Sequence, residues 1–202
     1  MKELLAALGL AKVRVDAGFS RIGRRLVAGN AADRALMTLA ARAVSAGNAL
    51  MALCREGHAN ESLPLLRALA EFALAMRWVS VDAEARAPQA WTELEAARWE
   101  FLWPEARARE RAESFGMKAW AADAAFATAS DFVRGNAGGL PWSHVFSESQ
   151  LPGRKPEEVL AAATVWLALA LEALDRRWPG EFPGSAEMRD RAQISRGQRH
   201  DE

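Results

Sequence analysis

Leu63 to Ser80, LPLLRALAEFALAMRWVS, is apolar around its whole circumference when wound as a helix. A helix of that kind is stable in water only when other elements enclose it. The chain must therefore supply the surrounding helices. Its 202 residues suit one domain with a core of that size. Half of the residues are hydrophobic, led by Ala and Leu, and β-branched residues are scarce. That composition favours helix throughout. No stretch alternates apolar and polar residues for long enough to form a strand, and there is no internal repeat.

Only Arg67, Glu71 and Arg77 are charged in the stretch. Arg67 and Glu71 are four apart and meet on one face, which Leu74 and Trp78 share. An acid and a base set in the apolar stripe of an apolar helix are the one chemically unusual feature of the sequence.

The flanking segments read as helices that could enclose it. Residues 2–28 carry Leu4, Leu8, Ala11, Val15, Phe19, Ile22 and Leu26 at spacings of three and four. Their other face holds Lys12, Arg14, Arg21, Arg24 and Arg25, read as a solvated face, with phosphate binding as the alternative. Gly29-Asn30 ends this helix and caps the next, with Asp33 favoured in its first turn. That second helix runs to about Glu56. Ala40, Ala43 and Gly47 give it a small-residue strip for close approach, Cys54 is read as a small core residue, and Gly57 as its C-terminal cap. Ser62 caps the central stretch and places Pro64 in the first turn. Pro88 is expected at the start of a further helix with Trp91, Leu94, Phe101 and Leu102 inward. Met117–Val133 reads as helix and Arg134–Pro156 as a long irregular stretch. Glu157–Trp178 is a second helix apolar all round, with acids opening it and Arg176-Arg177 closing it. Beyond Pro179 the chain is polar and without periodicity, which predicts a mobile tail. The expected fold is all-α: a single bundle of five to six helices over residues 1–178, with the stretches at 63–80 and 157–178 at its centre and 179–202 mostly disordered.

Lys and Arg total 26 and Asp and Glu total 26, so the formal charge is zero and gives no global reason to expect a nucleic acid or an anionic membrane as partner. Cys54 is the only cysteine. An intrachain disulfide and a thiolate metal site are excluded, and a reducing cytoplasm is the expected setting. Glu3 and Lys12 interrupt the N-terminal apolar run, which does not read as a signal peptide. The three charges of the central stretch argue against a membrane span. The histidines are His58, His144 and His200. No Walker loop, HExxH, paired Glu-x-x-His set or nucleophile elbow occurs, so no cofactor or metal is expected.

The segment CREGHANESLPLLRALAEFALAMRWVSVDAEARAPQAW resembles an uncharacterised family of bacterial all-helical domains. The resemblance rests on a Gly ending one helix, an Arg-x-x-x-Glu on the next (Arg67 and Glu71), an acidic turn and an amphipathic helix. A later PWSHVF places that family's histidine at His144. The resemblance covers residues 40 to 175, and its layout is similar to the HEPN superfamily of helical RNA-cleaving and defence-associated domains. The hallmark of that superfamily is an Arg followed, after four to six intervening residues, by a His. Here nine residues separate Arg134 from His144, and two separate Arg55 from His58.

What the resemblance implies is a metal-independent ribonuclease in which His144 is the base for the 2′-hydroxyl, Arg67 the cation for the phosphate and Glu71 the group orienting the imidazole. The residues themselves allow a second reading: Arg67 and Glu71 form a buried ion pair that fixes helix register, and His144 ties down the long loop. Two function classes follow. One is a non-catalytic interaction or oligomerisation module, placed by the resemblance in a stress or defence setting; the other is the HEPN-like ribonuclease. The expected partners are a second copy of the chain, another protein, or, for the ribonuclease, RNA. Eight tryptophans are read mainly as core, with Trp99, Trp103 and Trp178 as candidates for an interface or cleft.

Overall fold

The computed structural model describes residues 1–27, 29–96, 113 and 155–197. Among them the protein is all-α, with six helices and no strand: α1 (Lys2–Ile22), α2 (Ala31–Arg55), α3 (Leu63–Val81), α4 (Ala83–Ala96), α5 (Pro156–Arg177) and α6 (Ser185–Gly197). A 3-10 turn, Gly23–Arg25, extends α1. The sequence-predicted helix at 117–133, the irregular stretch at 134–156 up to residue 154, Trp99, Trp103 and His144 lie outside the described residues.

The two helices that are apolar all round form the centre. α3 packs along α2 and α5, and α5 also meets α1, α2 and α6. Leu69, Ala73, Leu74, Met76 and Val79 of α3 lie in one core with Leu160, Ala161, Ala168, Leu171 and Leu174 of α5. The small-residue strip of α2 does what close packing requires. Ala40 and Ala43 are buried, and a Cβ added at Gly47 would stand 3.1 Å from Cδ1 of Leu167. α2 is long and apolar enough to cross a membrane by length and composition; in the bundle Leu36, Leu39 and Leu50 are spent on the core.

The start signals work as local chemistry predicts at α2 and differ at α3 and α4. The Asn30 side chain accepts from the backbone N–H of Asp33 at 3.0 Å. Ser62 precedes α3, but its hydroxyl makes no cap; it donates back to the carbonyl of Ala59 at 2.6 Å. α4 begins five residues before Pro88, at Ala83, directly after Asp82, whose carboxylate accepts from Ala85 N–H at 3.2 Å. Pro88 therefore sits inside α4. An Asx cap supplies a first-turn acceptor, whereas the proline merely forgoes one bond to a carbonyl in that turn.

The expected mobile tail is corrected from residue 181 to residue 192. Phe182, Met188 and Ala192 are buried on α6 and the turn before it, and α6 packs on α5 and α1. Few apolar residues are needed because one of them, Phe182, plugs a prepared site. It lies over Gly18, where an added Cβ would overlap its ring. Its ring also packs edge-on to Phe19 at 5.2 Å and beside Trp178 at 5.8 Å. Trp178 is thus a core residue and not an interface residue. The remaining affinity is electrostatic, which hydrophobic periodicity does not reveal. Arg14 binds the Glu187 carboxylate and donates to the Gly184 carbonyl at 3.0 Å. Arg21 donates to Glu181 at 2.9 Å and Arg25 also binds Glu181. The face of α1 expected to be merely solvated is the seat of the C-terminal segment.

Candidate functional site

Arg67 and Glu71 stand on consecutive turns of the central helix, and the fold buries both, at 5 % and 2 % relative exposure. The Nε of Arg67 donates to Oε1 of Glu71 at 2.9 Å. The spacing of four sets this geometry on any helix; among the described residues α2 and α5 are the helices packed most extensively along α3. Burial pushes the Glu71 carboxyl above the ordinary glutamate range, against the lowering pull of the Arg67 guanidinium that donates to it. Leu74 of the same stripe is fully buried. Trp78 is half-buried, with the Arg86 guanidinium 5.3 Å from its ring and donating to its carbonyl at 3.0 Å.

Chemically, this is a cation whose planar fork is spent in part on a carboxylate one turn away within its own helix. A cation that receives a substrate phosphate needs that fork turned to an open surface. The third predicted member, His144, lies outside the described residues. His58 belongs to the turn before α3, is mostly exposed, and has Glu61 as its neighbour at 3.9 Å. Among the described residues no cluster of three or more His, Cys, Asp or Glu could hold a metal ion.

Cys54 is a core residue. Its thiol is 3.6 Å from the Ser62 hydroxyl, and burial pushes it up, partly offset by that contact. A thiol so placed is a poor nucleophile.

A second buried charge is one that sequence reasoning saw only as a first-turn acid. Asp33 is 3 % exposed. Its Oδ1 accepts from both Nε and Nη2 of Arg177, at 3.0 and 2.8 Å, and its Oδ2 accepts from Val27 N–H at 3.2 Å. It joins the start of α2, the end of α5 and the connection out of α1. The basic pair closing α5 was the available signal; only the tertiary fold identifies its partner.

Residues 33–101 match the family of unknown function DUF5677. The DUF5677 match spans about a third of the chain. It runs from Asp33 through α2, α3 and α4, and includes both Arg67 and Glu71. It supports an uncharacterised domain and assigns no activity. No curated protein and no solved structure matches the chain.

Proposed function

We propose that the chain is a non-catalytic helical module that pairs with a second copy of itself through the outward face of α1. Ala6, Gly9, Leu10, Val13 and Ala17 share that face by helical spacing. The observation that carries the reading is Val13, 59 % exposed in the middle of it. Beside it Gly9 has no atom within 4 Å of where a Cβ would stand, so another backbone can come close. Lys2 and Asp16 each lie seven residues from Gly9, about 10 Å along the axis on opposite sides. Asp16 is bound by Lys12 of its own helix and stays 58 % exposed; two copies of α1 crossing antiparallel at Gly9 set each Lys2 beside that exposed carboxylate of the other copy. That is the self-complementary pattern of a two-fold interface. The Arg67–Glu71 pair supports the non-catalytic half of the reading, since each group already serves the other inside one helix.

Light scattering coupled to size exclusion at tens of micromolar tests it. The reading expects twice the 22.0 kDa chain mass, a monomer for Val13→Glu, a weakened dimer for Lys2→Glu or Asp16→Lys alone, and recovery of the dimer when those two charge changes are combined. A wild-type monomer overturns it. Cleavage of RNA by the purified chain, lost in His144→Ala at unchanged melting temperature, replaces it with the ribonuclease reading.

A further inference from the structure

Arg14, Arg21 and Arg25 follow one flank of α1 and its 3-10 extension, about 10 Å and about 6 Å apart along the axis. Each is bound to a carboxylate of the C-terminal segment: Arg14 to Glu187, Arg21 and Arg25 to Glu181. Arg24, next to Arg25 in the chain, is exposed. Arg191 of the segment itself also binds Glu187, at 2.7 Å, so four guanidinium groups meet two carboxylates, and the strip keeps an excess of positive charge that the neutral total of the chain conceals. Guanidinium forks fit phosphate as well as they fit carboxylate.

We propose that residues 181–191 are a built-in cover on an arginine strip that binds the phosphate chain of a single-stranded nucleic acid when the two carboxylates give way. The exchange takes place at the surface. The side chains of Arg21, Arg25 and Glu187 are 48 %, 57 % and 46 % exposed and those of Arg14 and Glu181 are 18 % and 21 % exposed, so the exchange starts at Arg21, Arg25 and Glu187, whereas Phe182, which holds the segment down, is fully buried. Arg14 and Arg21 also donate to the backbone carbonyls of Gly184 and Glu181; phosphates displace the two carboxylate side chains while those backbone bonds and the Phe182 plug stay in place. The strip is a line along one helix and not a saddle, so it suits a single strand. Contacts to phosphate alone carry no sequence information, and RNA and DNA strands of equal length are bound alike. This inference stands apart from the dimer reading, which uses another flank of α1.

The test is fluorescence anisotropy of the full chain with a labelled 20-nucleotide single-stranded RNA of mixed sequence, in 50 and 200 mM NaCl, with the matching DNA strand in parallel. Glu181→Gln combined with Glu187→Gln is expected to bind at least ten-fold more tightly than wild type at 50 mM. Adding Arg21→Gln and Arg25→Gln should abolish the gain. Three displaced counterions set a slope of about −2 in log K against log salt for a single strand. No gain at unchanged melting temperature, or a gain that survives loss of the arginines, overturns the proposal. Should the glutamine pair fail to fold, wild type at 20 mM NaCl is the readout: binding weakened by Arg21→Gln combined with Arg25→Gln supports the proposal, and no binding, or binding unchanged in that variant, overturns it.

Discussion

Gly18→Ala isolates the docking of the C-terminal segment. In an ordinary helix interior the change stabilises by about 0.5–1 kcal/mol. Here the new methyl would overlap the Phe182 ring. That ring has no free direction: it is fully buried and flanked by Phe19 and Trp178, at 5.2 and 5.8 Å between ring centroids. Forcing a methyl into a filled site costs about 1–3 kcal/mol. The net loss is therefore about 1 kcal/mol, or roughly 2–4 °C in melting temperature for a chain of this size. Gly23→Ala, five residues further on, is the internal standard. Its backbone is right-handed helical, with φ −48°, and nothing lies within 4 Å of its added Cβ, so it should gain about 0.5 kcal/mol. Urea unfolding followed by circular dichroism gives both numbers, and amide exchange should show faster opening of residues 182–192 in Gly18→Ala alone. Equal stability of the two variants would refute the seating of Phe182 on α1.

Asp33→Asn keeps the shape of the side chain and removes its charge. One of its two contacts, Val27 N–H or the Arg177 guanidinium, must then face the amide's own donors, so a loss of about 2 kcal/mol is expected, read as a lower urea midpoint at unchanged slope. A shift under 0.5 kcal/mol would contradict that junction. The raised Glu71 carboxyl fixes a sign against pH. The folded state keeps the Glu71 proton at values where the unfolded chain has lost it, so this residue's contribution to stability falls as pH rises from the ordinary glutamate range through the raised folded value. Glu181 and Glu187 act oppositely and at lower pH. Their arginine partners hold both carboxylates below the ordinary range, and their contribution is lost only as pH falls through those lowered values. Subtracting the stability profile of Glu71→Gln from that of wild type should leave a difference that declines with pH above the ordinary glutamate range; a rising difference would reverse the assignment.

The fold was legible where apolar pattern alone decides it. The stretches at 63–80 and 157–178 lack a polar face, and such segments have nowhere to go but the centre of a helical bundle. The strip Ala40-Ala43-Gly47 likewise announced a close contact. Asn30 announced its cap because the bond it makes is local. Pro88 misled because a proline is permitted in a first turn without requiring one there, while Asp82, six residues earlier, actively fills an acceptor position. The C-terminal segment was missed for a different reason. Its attachment depends on one phenylalanine, one glycine 164 residues away in sequence and ion pairs between α1 and residues 181–187. None of these leaves a periodic trace. The same holds for Asp33 and Arg177, whose separation along the chain is 144 residues. Arg67 and Glu71 were legible as a pair because helix geometry alone brings them together. Their burial followed from the apolar surroundings, but how the pair is used did not, since a lock and a catalytic pair share the same spacing.

The direct measurement of that use is a double-mutant cycle at 67 and 71 by urea denaturation. Removing one partner leaves the other charge inside the bundle, so Glu71→Leu should lose about 3 kcal/mol or more. Combining it with Arg67→Leu should return a large part of that loss, with a coupling energy of about 1–3 kcal/mol. Single losses that simply add, with no coupling, would show that the two side chains do not act as a unit in the core.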